Sequence, residues 1–202
     1  MFMSVFNSTP PKIKKNNLIE WLSNNYKFLN KKKLILKELD SERDKNFLLI
    51  YNNDDPLVLK ISNTLESKKI LDLQDYVLSS LNKRSSIKKI IPKKIHKSIK
   101  LYFDENNCPC SVRILSYIKG TMLAHSIHSK DLECSLGHYI GILSKELQNL
   151  GHEAAFRVFE WDPSTIDWIN KYLYLFQSKQ KEIINKNLFE YEQFINKNKN
   201  NL

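Results

Sequence analysis

A single charged side chain interrupts the apolar run Leu57-Val58-Leu59-Lys60-Ile61. Along an extended strand alternate side chains face opposite ways, so Lys60 points away from Leu59 and Ile61. A compact, flexible ammonium held there suits phosphate oxygens; a solvent-facing lysine on an edge strand would read the same way. Just upstream, Ser41-Glu42-Arg43-Asp44-Lys45-Asn46-Phe47 offers polar side chains, among them Ser41, Asp44 and Asn46. These could cap and close a loop over phosphates without glycine, or form an ordinary hydrophilic hairpin turn. A third candidate is Arg113-Ile114-Leu115-Ser116-Tyr117-Ile118-Lys119-Gly120, an apolar strand that runs into a glycine-containing connector. The backbone groups of Ser116, Tyr117 and Ile118 could meet the edge of a purine, or the stretch is simply a fifth strand and a loop.

Other chemistries find little support. Cys108-Pro109-Cys110 is accompanied only by Cys134, three thiols where a closed zinc shell takes four ligands. His125 and His128 lie on a loop segment with no carboxylate pair nearby, and there is no G-x-S-x-G. The four glycines are Gly120, Gly137, Gly141 and Gly151, so neither a Walker loop nor a G-x-G-x-x-G turn can occur in the first half. Trp21, Trp161 and Trp168 fall at helix-like positions and read as core residues.

The chain has 202 residues and is 42% hydrophobic and 27% charged, enough for a packed core and a soluble protein. No apolar run reaches the roughly 18–20 residues of a membrane helix. The start, MFMSVFNSTPPKIKK, has its basic residues after the apolar stretch, the reverse of a secretory signal. With three cysteines, a reduced cytoplasmic protein is the expectation. The net charge of +10 favours anionic ligands, but only four of the 32 basic residues are Arg. Lysine accompanied by 21 asparagines and many isoleucines reads as background composition, so nucleic acid is not the expected partner. The runs Lys31–Lys33 and Lys93–Lys94 read as solvated faces.

Periodicity supplies the elements that must position these groups. Residues 16–29 read as a helix with Asn16–Asn17 as a cap. Leu34–Leu39, Phe47–Tyr51 and Leu57–Ile61 read as strands, the last two joined by the turn Asn52-Asn53-Asp54-Asp55-Pro56. A helix is predicted over 65–81, with Ile70, Val77 and Leu81 facing inward. Two strands follow, Ile99–Phe103 and Val112–Ile118, around the turn 104–107. After Gly120 the pattern is helical: 131–150 closed by Gly151, a helix opening at Asp162-Pro163-Ser164, another over 181–195, and a fraying tail. No internal repeat is visible. Strands followed by helices indicate an α+β protein of two lobes, with boundaries expected at 1–119 and 120–202.

Helix, three strands, helix, two strands and a helical second part is the order of a protein-kinase-like small lobe of about five antiparallel strands followed by the start of a large lobe. Four blocks strengthen that reading: Ser41 to Leu49, Val58-Leu59-Lys60-Ile61-Ser62-Asn63, Leu71-Asp72-Leu73-Gln74, and Leu115-Ser116-Tyr117-Ile118-Lys119-Gly120-Thr121. In that order they resemble the aminoglycoside phosphotransferase family, in particular its hydroxylysine-kinase-like branch, and the resemblance extends over about residues 16–195. It implies ATP or GTP with Mg²⁺ as phosphoryl donor and a small hydroxylated amine as acceptor. It makes Lys60 the phosphate anchor, Ser41, Asp44 and Asn46 the loop over the phosphates, and Ser116, Tyr117 and Ile118 the hinge against the base.

Two departures qualify what the resemblance implies. In this fold a Glu from the following helix normally holds the lysine. Here the central inward position is Gln74, which could hydrogen-bond Lys60 without neutralising it; Asp75 lies on the flank, Asp72 points away, and Glu66 is two turns earlier. Phosphoryl transfer also needs an Asp for the hydroxyl and an Asn and Asp for metal. None of His96, His125, His128, His138 and His152 is followed two positions later by Asp. The expectation is therefore an N-terminal portion of a kinase, inactive alone, with exposed apolar surface and a partner chain that could complete the large lobe. The alternatives are a non-catalytic kinase-like binding or regulatory module and a basic RNA-associated protein.

Overall fold

A computed structural model of the chain describes residues 8–52, 54–156 and 166–198. It divides into two compact units, Met1–Ala155 and Phe156–Leu202. The first unit holds helix α1 (Lys15–Asn25), strands β1 (Leu34–Leu39), β2 (Lys45–Tyr51) and β3 (Leu57–Ile61), and helix α2 (Lys68–Leu81). Strands β4 (Lys100–Phe103) and β5 (Pro109–Ser116) and helix α3 (Lys130–Leu147) complete it. In the second unit a 3₁₀ helix, Asp167–Leu175, precedes helix α4 (Ser178–Asn198).

The five strands form one antiparallel sheet in the order β1-β2-β3-β5-β4. Strand β3 therefore lies at its centre, between β2 and β5. In β3 burial alternates along the chain, with Leu57, Leu59 and Ile61 buried and Val58 and Lys60 half-buried. The buried set packs with Phe47, Leu49, Val112 and Ile114 against Leu18, Leu22, Tyr26 and Leu29 from α1 and the 3₁₀ turn after it. Full burial of a leucine or phenylalanine stabilises by about 1.5–3 kcal/mol, so this face supplies most of the unit's cohesion.

The strand boundaries follow the apolar runs closely. Pairing extends β2 back to Lys45 and β5 back to Pro109, and it ends β5 at Ser116, two residues before the expected Ile118. The α1 cap differs from expectation. Asn16 and Asn17 lie inside the helix, and its N-cap is Lys14, without a side-chain cap hydrogen bond. Contacts distant in sequence set the start instead. The Lys12 N–H donates to the Asp104 carboxylate at 3.2 Å, the Glu105 N–H to the Lys12 carbonyl at 3.0 Å, and Lys14 pairs with Glu105 at 2.6 Å. Asp104 is buried and also accepts from the N–H groups of Asn106 and Cys108, each at 2.9 Å, which closes the β4–β5 turn.

Helix α2 begins where Ser67 Oγ accepts from the Ile70 N–H, three residues later than the periodicity suggested. Leu71 is buried with Ile70 and Leu81, whereas Val77 is only half-buried. Helix α3 ends in right-handed geometry at Gln148, and no described glycine has a positive φ, so Gly151 is not a left-handed cap. The proposed opening at Asp162-Pro163-Ser164 lies outside the described residues, as does Trp161; beyond it the backbone is 3₁₀ where an α-helix was expected. Trp168 is exposed and packs edge-on with Tyr172, so it is not a core residue. Asn196, Lys197 and Asn198 continue α4 where fraying was expected. No residue of α3 is buried, and Leu136 and Ile140 are 40% and 54% exposed.

Candidate functional site

The face of the sheet turned away from α1 carries a polar row. Directly opposed residues on neighbouring strands share a face, and Asn46 on β2 opposes Lys60 on β3, which opposes Arg113 on β5. Lys60 is half-buried and Arg113 is 3% exposed. Two cations placed directly across a strand pair repel one another, a cost the fold must offset.

Arg113 is offset by α2. Its Nη2 donates to Oε1 of Gln74 at 2.5 Å, and its Nη1 lies 3.4 Å from Oδ1 of Asp75. The other carboxylate oxygen of Asp75 takes the Lys94 ammonium. Lys94 pairs with Leu115 in a β-bridge at the sheet edge, so it is part of this network and not a solvated surface lysine. Gln74 therefore serves Arg113 where the sequence suggested a bond to Lys60. Asp75 belongs to the site, Asp72 is exposed, and Glu66 accepts locally from the Ser67 N–H at 3.2 Å.

Lys60 has no hydrogen bond and no ion pair among the described residues. Burial depresses its pKa below the ordinary lysine value; the negative charge of Asp44 opposes that effect and the positive charge of Arg113 adds to it. The ammonium is thus partly stripped of water and without a direct anionic partner. An anion arriving on this face would recover charge-assisted hydrogen bonds that the protein itself does not make.

The loop from β1 to β2 is fixed without glycine. Asn46 Nδ2 donates to Ser41 Oγ at 3.0 Å, and Asp44 Oδ1 accepts from the Asn63 N–H at 3.0 Å. Asn63, just beyond β3, is 4% exposed. Its amide donates to the carbonyls of Thr9 at 2.8 Å and Arg43 at 3.3 Å, while its oxygen accepts from the Leu65 N–H at 2.9 Å. One side chain thus pins the loop, the N-terminal segment and the approach to α2. Asn46 Oδ1 and Arg113 Nε are buried without a partner among the described residues. Both flank Lys60.

The hinge candidates sit differently. Ser116 opposes Leu57, three residues along β3 from Lys60, which separates them by about 10 Å of strand. The Ser116 N–H donates to the Lys93 carbonyl and its Oγ accepts from the Lys93 N–H, each at 2.8 Å. That N–H is therefore not free for a base. Ser116, Tyr117 and Ile118 line a cavity of about 910 Å³ together with Tyr51, Leu57 and Lys93. Lys60 is not part of its lining. Among the described residues, Lys60, Asp44 and Asn46 are brought together, with Ser41 behind Asn46. Gln74 joins them only through Arg113, and the hinge stands apart.

Sequence reasoning gave no role to Arg113 or Asn63 and left Asp75 on the flank of its helix. Arg113 did carry a signal, since it interrupts Val112-Arg113-Ile114-Leu115 as Lys60 interrupts β3. Only the register shows that the two interruptions meet. No group of three or more His, Cys, Asp or Glu side chains able to hold a metal occurs among the described residues. Nor is any described helix long and apolar enough to cross a membrane.

A central antiparallel sheet of five strands, a helix between its third and fourth strands and helices after it define the chain as α+β with a kinase-like N-terminal lobe. A search of solved structures finds a microcompartment-associated aminopropanol kinase, 16% identical, with a TM-score of 0.55. The match covers 74% of this chain and 45% of that one, so the chain spans less than half the length of its structural neighbour. No protein-family model matches the chain, and no curated protein matches it.

Proposed function

We propose that this chain provides the nucleotide-holding lobe of a small-molecule phosphotransferase. The observation that carries the reading is Lys60, a partly desolvated ammonium without a protein anion in contact, at the centre of a kinase-like sheet. Lys60 anchors the phosphates of ATP or GTP, and Arg113 beside it raises the local positive potential. Ser41, Asp44 and Asn46 shape the loop above them, held from behind by Asn63. Tyr117 and Ile118 offer the backbone against the purine, since the Ser116 N–H is taken by Lys93.

The acceptor is a small amino alcohol. The resemblance to hydroxylysine kinase and the structural neighbour that is an aminopropanol kinase agree on that class. Mg²⁺ in such a reaction neutralises phosphate charge. The described residues offer no cluster that fits it, so no step is assigned to this chain's own metal ligands. These 202 residues contain no His-x-Asp loop, and hydroxyl activation falls to residues outside them, in the same polypeptide or in a partner chain. Residues 1–119 act as the nucleotide lobe and 120–202 as the beginning of the acceptor lobe. Three free cysteines support a reducing, cytoplasmic setting.

One observation favours the non-catalytic alternative: no carboxylate of α2 reaches Lys60, because Asp75 is engaged by Arg113 and Lys94. Calorimetric titration with ATP and GTP in Mg²⁺ separates the two readings. The expected result is weak purine-nucleotide binding that Lys60→Met abolishes, with no phosphate transfer to hydroxylysine or aminopropanol. A folded chain that ignores both nucleotides overturns the nucleotide site, and turnover by these 202 residues overturns the assignment of hydroxyl activation elsewhere.

A further inference from the structure

We propose that Arg113 on β5, gripped by Gln74 and Asp75 of α2, is the positioning residue that locks α2 to the nucleotide face and leaves Lys60 free for ligand. The part that concerns ligand rests on the reading of this face as a nucleotide site; the lock itself does not.

The geometry separates two tasks that a lysine–carboxylate pair would combine. Arg113 sends two different guanidinium nitrogens to two consecutive side chains of one helix, Nη2 to Gln74 and Nη1 to Asp75. A planar fork does this with two separate nitrogens in fixed geometry, whereas a lysine would have to serve both partners from one nitrogen. The guanidinium is almost fully buried, and the Asp75 side chain is only 14% exposed, so water screens the contact weakly. Asp75 also engages Lys94, so one carboxylate joins β5, α2 and the sheet edge. Lys60 lies directly across the β3–β5 ladder from Arg113, with no hydrogen bond or ion pair to α2 among the described residues.

The position of α2 therefore depends on Arg113, and the ammonium that meets the ligand depends on its neighbour's placement. Arg113 Nε remains buried without a partner among the described residues on the flank of Lys60. A phosphate oxygen bound at Lys60 would offer it an acceptor. Ligand binding and helix position are then linked through one side chain.

Amide hydrogen exchange of residues 68–81, measured without nucleotide, tests the lock. Arg113→Lys keeps the charge and loses the fork, and α2 amides should exchange about tenfold faster while α1 amides stay protected. Gln74→Ala, a milder change on the helix itself, should accelerate the same amides by a smaller factor. Lys60→Met should leave them unchanged. If Lys60→Met loosens α2 while Arg113→Lys does not, the lock belongs to Lys60 and the proposal is wrong; if neither does, the helix is held by packing alone and the proposal is equally wrong. Nucleotide titration supplies the second arm. Arg113→Lys and Gln74→Ala should weaken ATP binding, about tenfold for the first. Loss of binding in Lys60→Met with full affinity in both other variants would refute the link and leave the nucleotide site standing. Unaltered binding in Lys60→Met would refute the nucleotide site and leave the exchange result to decide the lock.

Discussion

The two faces of the sheet obey different rules although the same strands build both. Toward α1 the central positions are apolar and closely packed: Leu18, Leu22, Leu49, Leu59 and Val112 are fully buried. Toward α2 the central row is Asn46, Lys60 and Arg113, and burial there coexists with uncompensated polarity. Alternation along a strand lets one segment contribute to stability on one side and hold charge on the other. The fold is paid for on the α1 face, and the opposite face can carry an arrangement that would be costly as structure.

The largest effect should come from disturbing the α1 face. Leu22→Ala removes a fully buried side chain and should lower unfolding free energy by about 2–5 kcal/mol in urea denaturation. A loss below about 1 kcal/mol would show that the two faces do not differ in this way. Asn63→Ala comes next. It deprives the Leu65 N–H of its acceptor and the Thr9 carbonyl of its donor, and about 1–3 kcal/mol should be lost. The loop that carries Asp44 should loosen with it, visible as faster exchange of amides 41–44.

Alkaline pH sharpens the comparison, because the α1 face holds two groups that resist ionisation. Burial, with Asp104 and Cys108 adding to it, pushes the Cys110 thiol from its ordinary 9.0 up to about 12, and burial pushes the Tyr26 phenol from 10.0 up to about 12. Between those limits the unfolded chain releases protons that the folded chain retains. The unfolded state then binds fewer protons, and stability falls as pH rises from about 9 to about 12. Tm measured against pH should decline across that window and less so in Tyr26→Phe. The Tyr26 hydroxyl is buried without a partner among the described residues, so this variant should be no less stable at pH 7. In maleimide labelling of the native chain, exposed Cys134 should react first, half-buried Cys108 more slowly and Cys110 not at all.

The smallest effect on stability belongs to Lys60→Met. It removes a partly desolvated charge whose depressed pKa records an unfavourable environment, so Tm at pH 7 should stay level or rise while nucleotide binding disappears. A clear fall in Tm would make Lys60 a structural residue and erase the distinction between the faces.

Strands β1, β2 and β3 were legible almost residue by residue, because each apolar run is short and bounded by polar turns. So was the polarity of Lys60, since one charge among four apolar neighbours has only one face to occupy. The start of α1 was not, because Asp104 and Glu105, about ninety residues away, set it in place of the local asparagines. Gly151 misled for a related reason: a glycine after a helix permits a left-handed cap, and α3 closes at Gln148 without one. Gln74 was correctly found on the inner side of α2, yet its partner was not, since choosing between Lys60 and Arg113 requires knowing which strand lies beneath the helix.

By itself the amino-acid sequence determined the α+β class, the strand positions, the single lysine within β3 and the absence of a His-x-Asp loop from these 202 residues. Those are properties of residue type and short spacing. The tertiary structure decided that Asn46, Lys60 and Arg113 form one row, that α2 holds the arginine, and that Asn63 ties the loop. Register and helix placement are sums over many weak contacts far apart in the chain, and no local pattern records them.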